Sequence, residues 1–183
     1  MNTTKRISIY LGGINGVGKT TIAKLLQNKG FSHIQCSNIL LNYFELKEQK
    51  ELENIPQKKK QYVMEKIIPK EIRKYTKVVI DAHYVTPLKN GKYYTKSLNS
   101  KLAHEVNYLI HLTAPPTLIL NRRIRDLSNR ARDLNISNIC RDQLESINVA
   151  QNLSKKHSVP LIAIGNNSNP KITVNKILSE VGL

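Results

Sequence analysis

The chain has 183 residues, 40% of them hydrophobic, with Lys+Arg 29 against Asp+Glu 13 for a formal net charge of +16. That length fits a single domain over residues 1–183 with small insertions. Its two cysteines, Cys36 and Cys140, exclude a disulfide scaffold and lack metal-ligand spacing, so both read as reduced thiols.

The start, Met1 to Arg6, is polar and leads straight into the first apolar run, with no h-region and no stretch of about 18 apolar residues. This predicts a cytoplasmic protein with no membrane partner. The positive excess favours polyanions, nucleotides and RNA alike, through long-range attraction. Lysines are spread widely, whereas six of the eight arginines fall between Arg122 and Arg141. Guanidinium groups suit bidentate phosphate contacts, which assigns that cluster to a site and most lysines to solvated surface.

The first apolar run, Ile7–Leu11, predicts a buried strand. After it, Gly13-Ile14-Asn15-Gly16-Val17-Gly18-Lys19-Thr20 matches G-x-x-x-x-G-K-[ST], and a helical pattern follows from Thr21 to Asn28. Strand, glycine loop and helix in that order let backbone N–H groups wrap a polyphosphate. Lys19 then reaches the β and γ phosphates and Thr20 can ligate magnesium. The chain is therefore expected to bind a nucleoside triphosphate with Mg2+, through residues Gly13 to Thr21.

His33–Cys36 is a shorter candidate strand. Glu45 to Lys77 holds ten basic and six acidic residues around Lys58-Lys59-Lys60. The charges read as a solvated helical pair, but a plain crossover needs only about a dozen residues, so the extra length suggests a flap, set at residues 38–75. Val78-Val79-Ile80-Asp81 then forms a strand ending in a carboxylate. In a parallel sheet the ligand lies outside the carboxyl ends of the strands, so Asp81 is placed beside the phosphate loop with a magnesium-holding role. His83, two residues on, can bond a phosphate or the surroundings of Asp81. Thr86 to Tyr94 is an exposed turn centred on Asn90-Gly91.

Tyr108–Leu112 is the fourth strand, and Thr113-Ala114-Pro115-Pro116 starts a helix. On it, Arg122 and Arg125 are three apart and share a face. Arg130 and Arg132 follow in a polar stretch. The arrangement reads either as a basic surface helix partnered by Asp126 and Asp133 or as a mobile lid, residues 126–140, whose arginines close over a transferring phosphoryl group. The lid is favoured, because a loop of backbone amides leaves developing charge unneutralised. Pro160–Ile164 is the fifth strand. Near-continuous apolar strands alternating with helices predict an α/β fold, doubly wound around a five-stranded parallel sheet.

Together these residues resemble the P-loop nucleoside monophosphate kinases, and look most like the archaeal-type adenylate kinases. The similarity rests on the loop Gly13 to Thr21, on Ile80-Asp81-Ala82-His83 with Pro87 and Gly91 beyond, and on Leu118-Ile119-Leu120-Asn121-Arg122 through Arg125-Asp126 to Arg130 and Arg132. It implies reversible transfer of the ATP γ-phosphoryl group to AMP. Gly16, Gly18, Lys19 and Thr20 would hold the ATP phosphates, Arg122 would pack on adenine, and Arg125, Arg130 and Arg132 would stabilise the transferring group. The family also suggests adenine recognition by backbone near Asn166, and a homotrimer. Ser37, Arg73 and His83 are the residues assigned to the monophosphate. Family members commonly place an arginine in the flap, whereas Glu45 to Gln61 has lysines and none; Arg73 is the nearest.

Two other readings compete. One is an ATP-driven assembly factor like the adenylate-kinase-like ATPases of small-ribosomal-subunit maturation, with the basic surface on RNA. The other is a kinase for another nucleoside monophosphate or small acceptor, such as a nucleoside or a shikimate-like alcohol; an alcohol needs a general base, either Asp81 itself or a carboxylate in the flap.

Overall fold

A computed structural model of the protein describes residues 6–88, 91–95, 98–126 and 133–183. In chain order, β1 (Ile7–Gly12), α1 (Lys19–Gln27), β2 (Ser32–Gln35) and α2 (Cys36–Tyr43) open the fold. A 3-10 turn (Gln49–Asn54), α3 (Gln57–Lys66) and α4 (Ile68–Ile72) lead to β3 (Lys77–Asp81). A hairpin of β4 (Thr86–Pro87) and β5 (Tyr93–Tyr94) and the short α5 (Ser100–Ala103) precede β6 (Tyr108–Thr113). The chain closes with α6 (Pro116–Ile124), α7 (Ile136–His157), β7 (Leu161–Gly165) and α8 (Pro170–Glu180).

The main sheet has five strands in the order β2-β3-β1-β6-β7. All its pairings are parallel, with Ile7 opposite Lys77 and Ile9 opposite Tyr108. On one face Ile9, Leu11, Val79 and Ile110 pack against Ile22 and Leu26 of α1 and Val174 and Ile177 of α8. On the other, Tyr10, Ile80 and Leu109 meet Met64, Ile68, Ile72, Leu102 and Ala150. Burial on both faces is why β1 is buried at every position and reads as a continuous apolar run.

The expected strands appear within a residue or two of their predicted limits. The first helix begins at Lys19, because Gly18 caps it in a left-handed conformation. Cys36 opens α2 rather than closing β2. The segment expected as a helical pair is instead three helical pieces, the 3-10 turn, α3 and α4, with Pro56 capping α3 and Pro69 in the first turn of α4. Proline lacks an N–H and fixes φ, so it starts helices and interrupts longer ones. The last part of the stretch set aside as a lid is taken up by the first turn of α7, capped by Asn135, whose side chain accepts from Ser137 and Asn138 N–H. No helix among the described residues is long and apolar enough to cross a membrane.

A polar cluster lies within the second core. His111, fully buried on β6, places Nε2 3.0 Å from Ser146 Oγ on α7 and stacks on Tyr84 with ring centroids 5.6 Å apart. Burial, with the charge of Lys19 added, pushes its pKa down to about 4. The unfolded chain, with an ordinary histidine near 6.5, binds more protons than the folded one between those values. Stability from the neutral ring is thus fully present above about pH 6.5 and is lost as pH falls toward 4. Melting temperatures measured across that window are expected to fall in the wild type and to vary less in His111→Gln; equal slopes would remove His111 from the acid response.

Candidate active site

The site forms where β1 and β3 end. Between Gly12 and Lys19 the chain turns through Gly13, Gly16 and Gly18, each with positive φ. At Gly18, with φ +100, a β carbon would also lie 2.4 Å from Asn166 Nδ2, so glycine is needed there for both shape and space. Lys19 is 6% exposed and its Nζ donates to Ile14 O at 3.1 Å, folding the ammonium back across the loop. Thr20 Oγ1 donates to Asp81 Oδ2 at 2.8 Å, joining the first turn of α1 to the end of β3.

Several side chains brace this loop from outside. Asn166 is buried; its Nδ2 donates to Val17 O at 2.8 Å, its Oδ1 accepts from Thr173 Oγ1 at 3.1 Å, and its N–H bonds Thr113 O at 2.7 Å. Arg122 donates to Val17 O and to Asn166 O, both at 3.0 Å. Arg123, next along the helix and buried, donates from Nε to Asn15 O at 3.1 Å and from a terminal nitrogen to Asp133 O at 2.6 Å. It therefore ties the loop to the start of α7. His83 Nδ1 lies 3.1 Å from Gly13 O. Beneath the loop, the ring of Tyr84 sits against Gly12, its hydroxyl donating to Ile110 O at 3.2 Å.

The electrostatics centre on Asp81, 6% exposed. Burial pushes its carboxyl pKa up, but His33, Lys19, Thr20 and His83 together outweigh burial and hold it below the ordinary value. Desolvation lowers the Arg122 pKa.

Of the residues singled out in sequence, Gly13 to Thr20, Asp81, His83, Arg122 and Asn166 are brought together. Thr21 is exposed on α1. Ser37, in the first turn of α2, takes a hydrogen bond from Gln49 Nε2 at 3.1 Å. Arg125 is exposed at the end of α6. Arg130 and Arg132 lie outside the described residues.

Arg73 is a correction. It does not face the phosphate loop: its Nε donates to Glu105 Oε1 at 2.7 Å, and Arg6 donates to Oε2 of the same carboxylate at 3.0 Å. Arg73 and Glu105 precede β3 and β6, which places this cluster at the amino ends of the strands, opposite the loop. The residues that sequence reasoning passed over are Arg123, His33 and Tyr84. Only Arg123 left a trace, as a member of the arginine cluster.

The fold is that of the P-loop kinases, and solved structures match it over nearly the whole length. A shikimate kinase from Bacteroides thetaiotaomicron is 12% identical, with a TM-score of 0.60 over 97% of this chain and 99% of that one. A gluconokinase from Sinorhizobium meliloti is 17% identical, with a TM-score of 0.62 over 97% and 94%. A shikimate kinase from Acinetobacter baumannii in complex with shikimate is 18% identical, with a TM-score of 0.57 over 96% and 93%. No curated protein matches the chain in sequence. The profile of the AAA domain family matches residues 12–139, a span that includes the phosphate loop, Asp81 and Arg123, and the chain belongs to that family.

Proposed function

We propose that the protein is an adenylate kinase, transferring the γ-phosphoryl group of Mg-ATP reversibly to AMP. One observation carries the choice of a phosphate acceptor over an alcohol. The five strands of the main sheet end in Gly12, Gln35, Asp81, Thr113 and Gly165, so Asp81 is the sole carboxylate at a strand end. Its pKa is held low and it is hydrogen-bonded to Thr20. An alcohol must lose a proton as its oxygen attacks, and a carboxyl so stabilised as the anion is a poor base. A monophosphate oxygen is already ionised near neutral pH and needs none.

In this reading the loop amides and Lys19 hold the ATP phosphates. Asn166, Arg122 and Arg123 fix the loop by binding its carbonyls. Arg122 thereby serves the loop directly, whatever it offers the adenine. Arg125, Arg130 and Arg132 neutralise the transferring group, and the flap over residues 38–75, with Ser37 and His83, receives AMP. Thr20 Oγ1 and Asp81 Oδ2 form an all-oxygen pair at the loop, which suits a hard cation that keeps waters and phosphate oxygens as its other ligands. Magnesium, when bound, offsets the negative charge of the phosphates.

The deciding experiment incubates purified protein and Mg-ATP with each common nucleoside monophosphate, shikimate or gluconate and separates the products. ADP formation dependent on AMP is expected. Phosphorylation of an alcohol alone overturns the proposal, and hydrolysis stimulated by ribosomal particles without any acceptor moves the assembly-factor reading ahead. Within this assay, Asp81→Asn keeps the shape and removes the charge, so activity should fall and the magnesium requirement rise. An unchanged magnesium titration would leave Asp81 as no more than an anchor for Thr20.

A further inference from the structure

Strand β2 is an edge of the sheet, and on it His33 pairs with Val79 while Gln35 pairs with Asp81. Paired positions two apart point to one face, so His33 and Asp81 project from the sheet on the same side. The His33 side chain is 10% exposed, and its Nε2 is buried with no hydrogen-bond partner among the described residues. That nitrogen lies 3.7 Å from Asp81 Oδ2, the same oxygen that takes the Thr20 hydroxyl at 2.8 Å. A buried polar atom left unpaired is costly, and an apolar side chain in the same volume would avoid the cost. The ring is a small movement short of a hydrogen bond, with a buried anion as acceptor.

We infer that His33 is a positioning residue, whose Nε2–H closes on Asp81 Oδ2 and fixes the rotation of that carboxylate for a divalent cation. Thr20 addresses Oδ2 from the helix and His33 from the neighbouring strand, so the two together deny the carboxylate its freedom to turn. A ligating group anchored from behind presents its lone pairs in one direction, and loss of such an anchor typically weakens metal binding about 10- to 100-fold. In this role His33 acts through Asp81. The inference rests on Thr20 and Asp81 holding the cation, as in the proposed function.

The test titrates Mn2+ into the protein saturated with a non-hydrolysable ATP analogue, following bound metal by electron paramagnetic resonance. His33→Leu should weaken Mn2+ about tenfold or more while binding of the metal-free analogue is unchanged. His33→Gln, which carries an N–H at similar reach, should recover most of the loss. His33→Asn, polar but too short, should lose as much as leucine, and it stands in should the leucine variant not fold. In an Asp81→Asn background His33→Leu should have no further effect, since the anchored group is gone. Unchanged Mn2+ affinity in His33→Leu and His33→Asn, equal losses in leucine and glutamine variants, or additive losses with Asp81→Asn each overturn the inference alone. Wild-type protein that takes up no Mn2+ with the analogue overturns the cation site itself.

Discussion

Lys19→Ala is expected to abolish phosphoryl transfer while leaving the protein folded. The ammonium is buried across the loop, bonded to Ile14 O, at the point where a polyphosphate would enter the ring of amides. A cation there counters charge that grows on the transferring group, and removing such a contact costs about 3 kcal/mol or more in the transition state. Lys19 adds little to the hydrophobic core, so the melting temperature should change little. Near wild-type turnover in the purified variant would sink the assignment of the loop.

A comparable loss is expected when Arg130 and Arg132 are both replaced by alanine. If they close over both nucleotides, they act mainly in the transition state, and AMP-dependent turnover should drop at least about a hundredfold. ATP affinity should weaken only modestly, because the braced loop Gly13 to Thr20 still holds the triphosphate. Lysine at both positions should rescue poorly, since an ammonium restores charge without the planar fork that grips phosphate oxygens. Equilibrium ATP binding and ADP formation are measured for each variant. Loss of both in proportion, or of neither, would show that these arginines are not a catalytic lid and would favour the assembly factor.

The centre of the sheet was legible in the sequence because β1, β3 and β6 are buried on both faces, and β3 ends at Asp81. The phosphate loop was legible because its glycines, lysine and threonine are local requirements of backbone geometry. Arg122 and Arg125 were chosen for a shared helix face, yet the neighbour Arg123 is the buried one that clasps Asn15 and Asp133. Which side of α6 faces the loop is fixed by packing, through Ile119, and not by spacing within the helix. His33 gave no signal, because its meaning arises from register between β2 and β3, which are forty-odd residues apart in the chain. Arg73 was decidable in advance: a residue shortly before a strand lies at its amino end, and a ligand in such a sheet binds beyond the carboxyl ends. The absence of arginine from the flap drew attention to the wrong substitute.

Gly12 ends β1 without a positive φ, so its backbone would accept another residue. What excludes a side chain is Tyr84, whose ring stands 2.1 Å from where a β carbon at position 12 would be. The two positions share a single allotment of space. Among descendants of this sequence, alanine at 12 becomes tolerable only after 84 has shrunk, and a small residue at 84 leaves a void until 12 has grown. The pair should therefore vary together across lineages. An invariant glycine at the threshold of the loop would record the history of a tyrosine, and not a demand of the nucleotide.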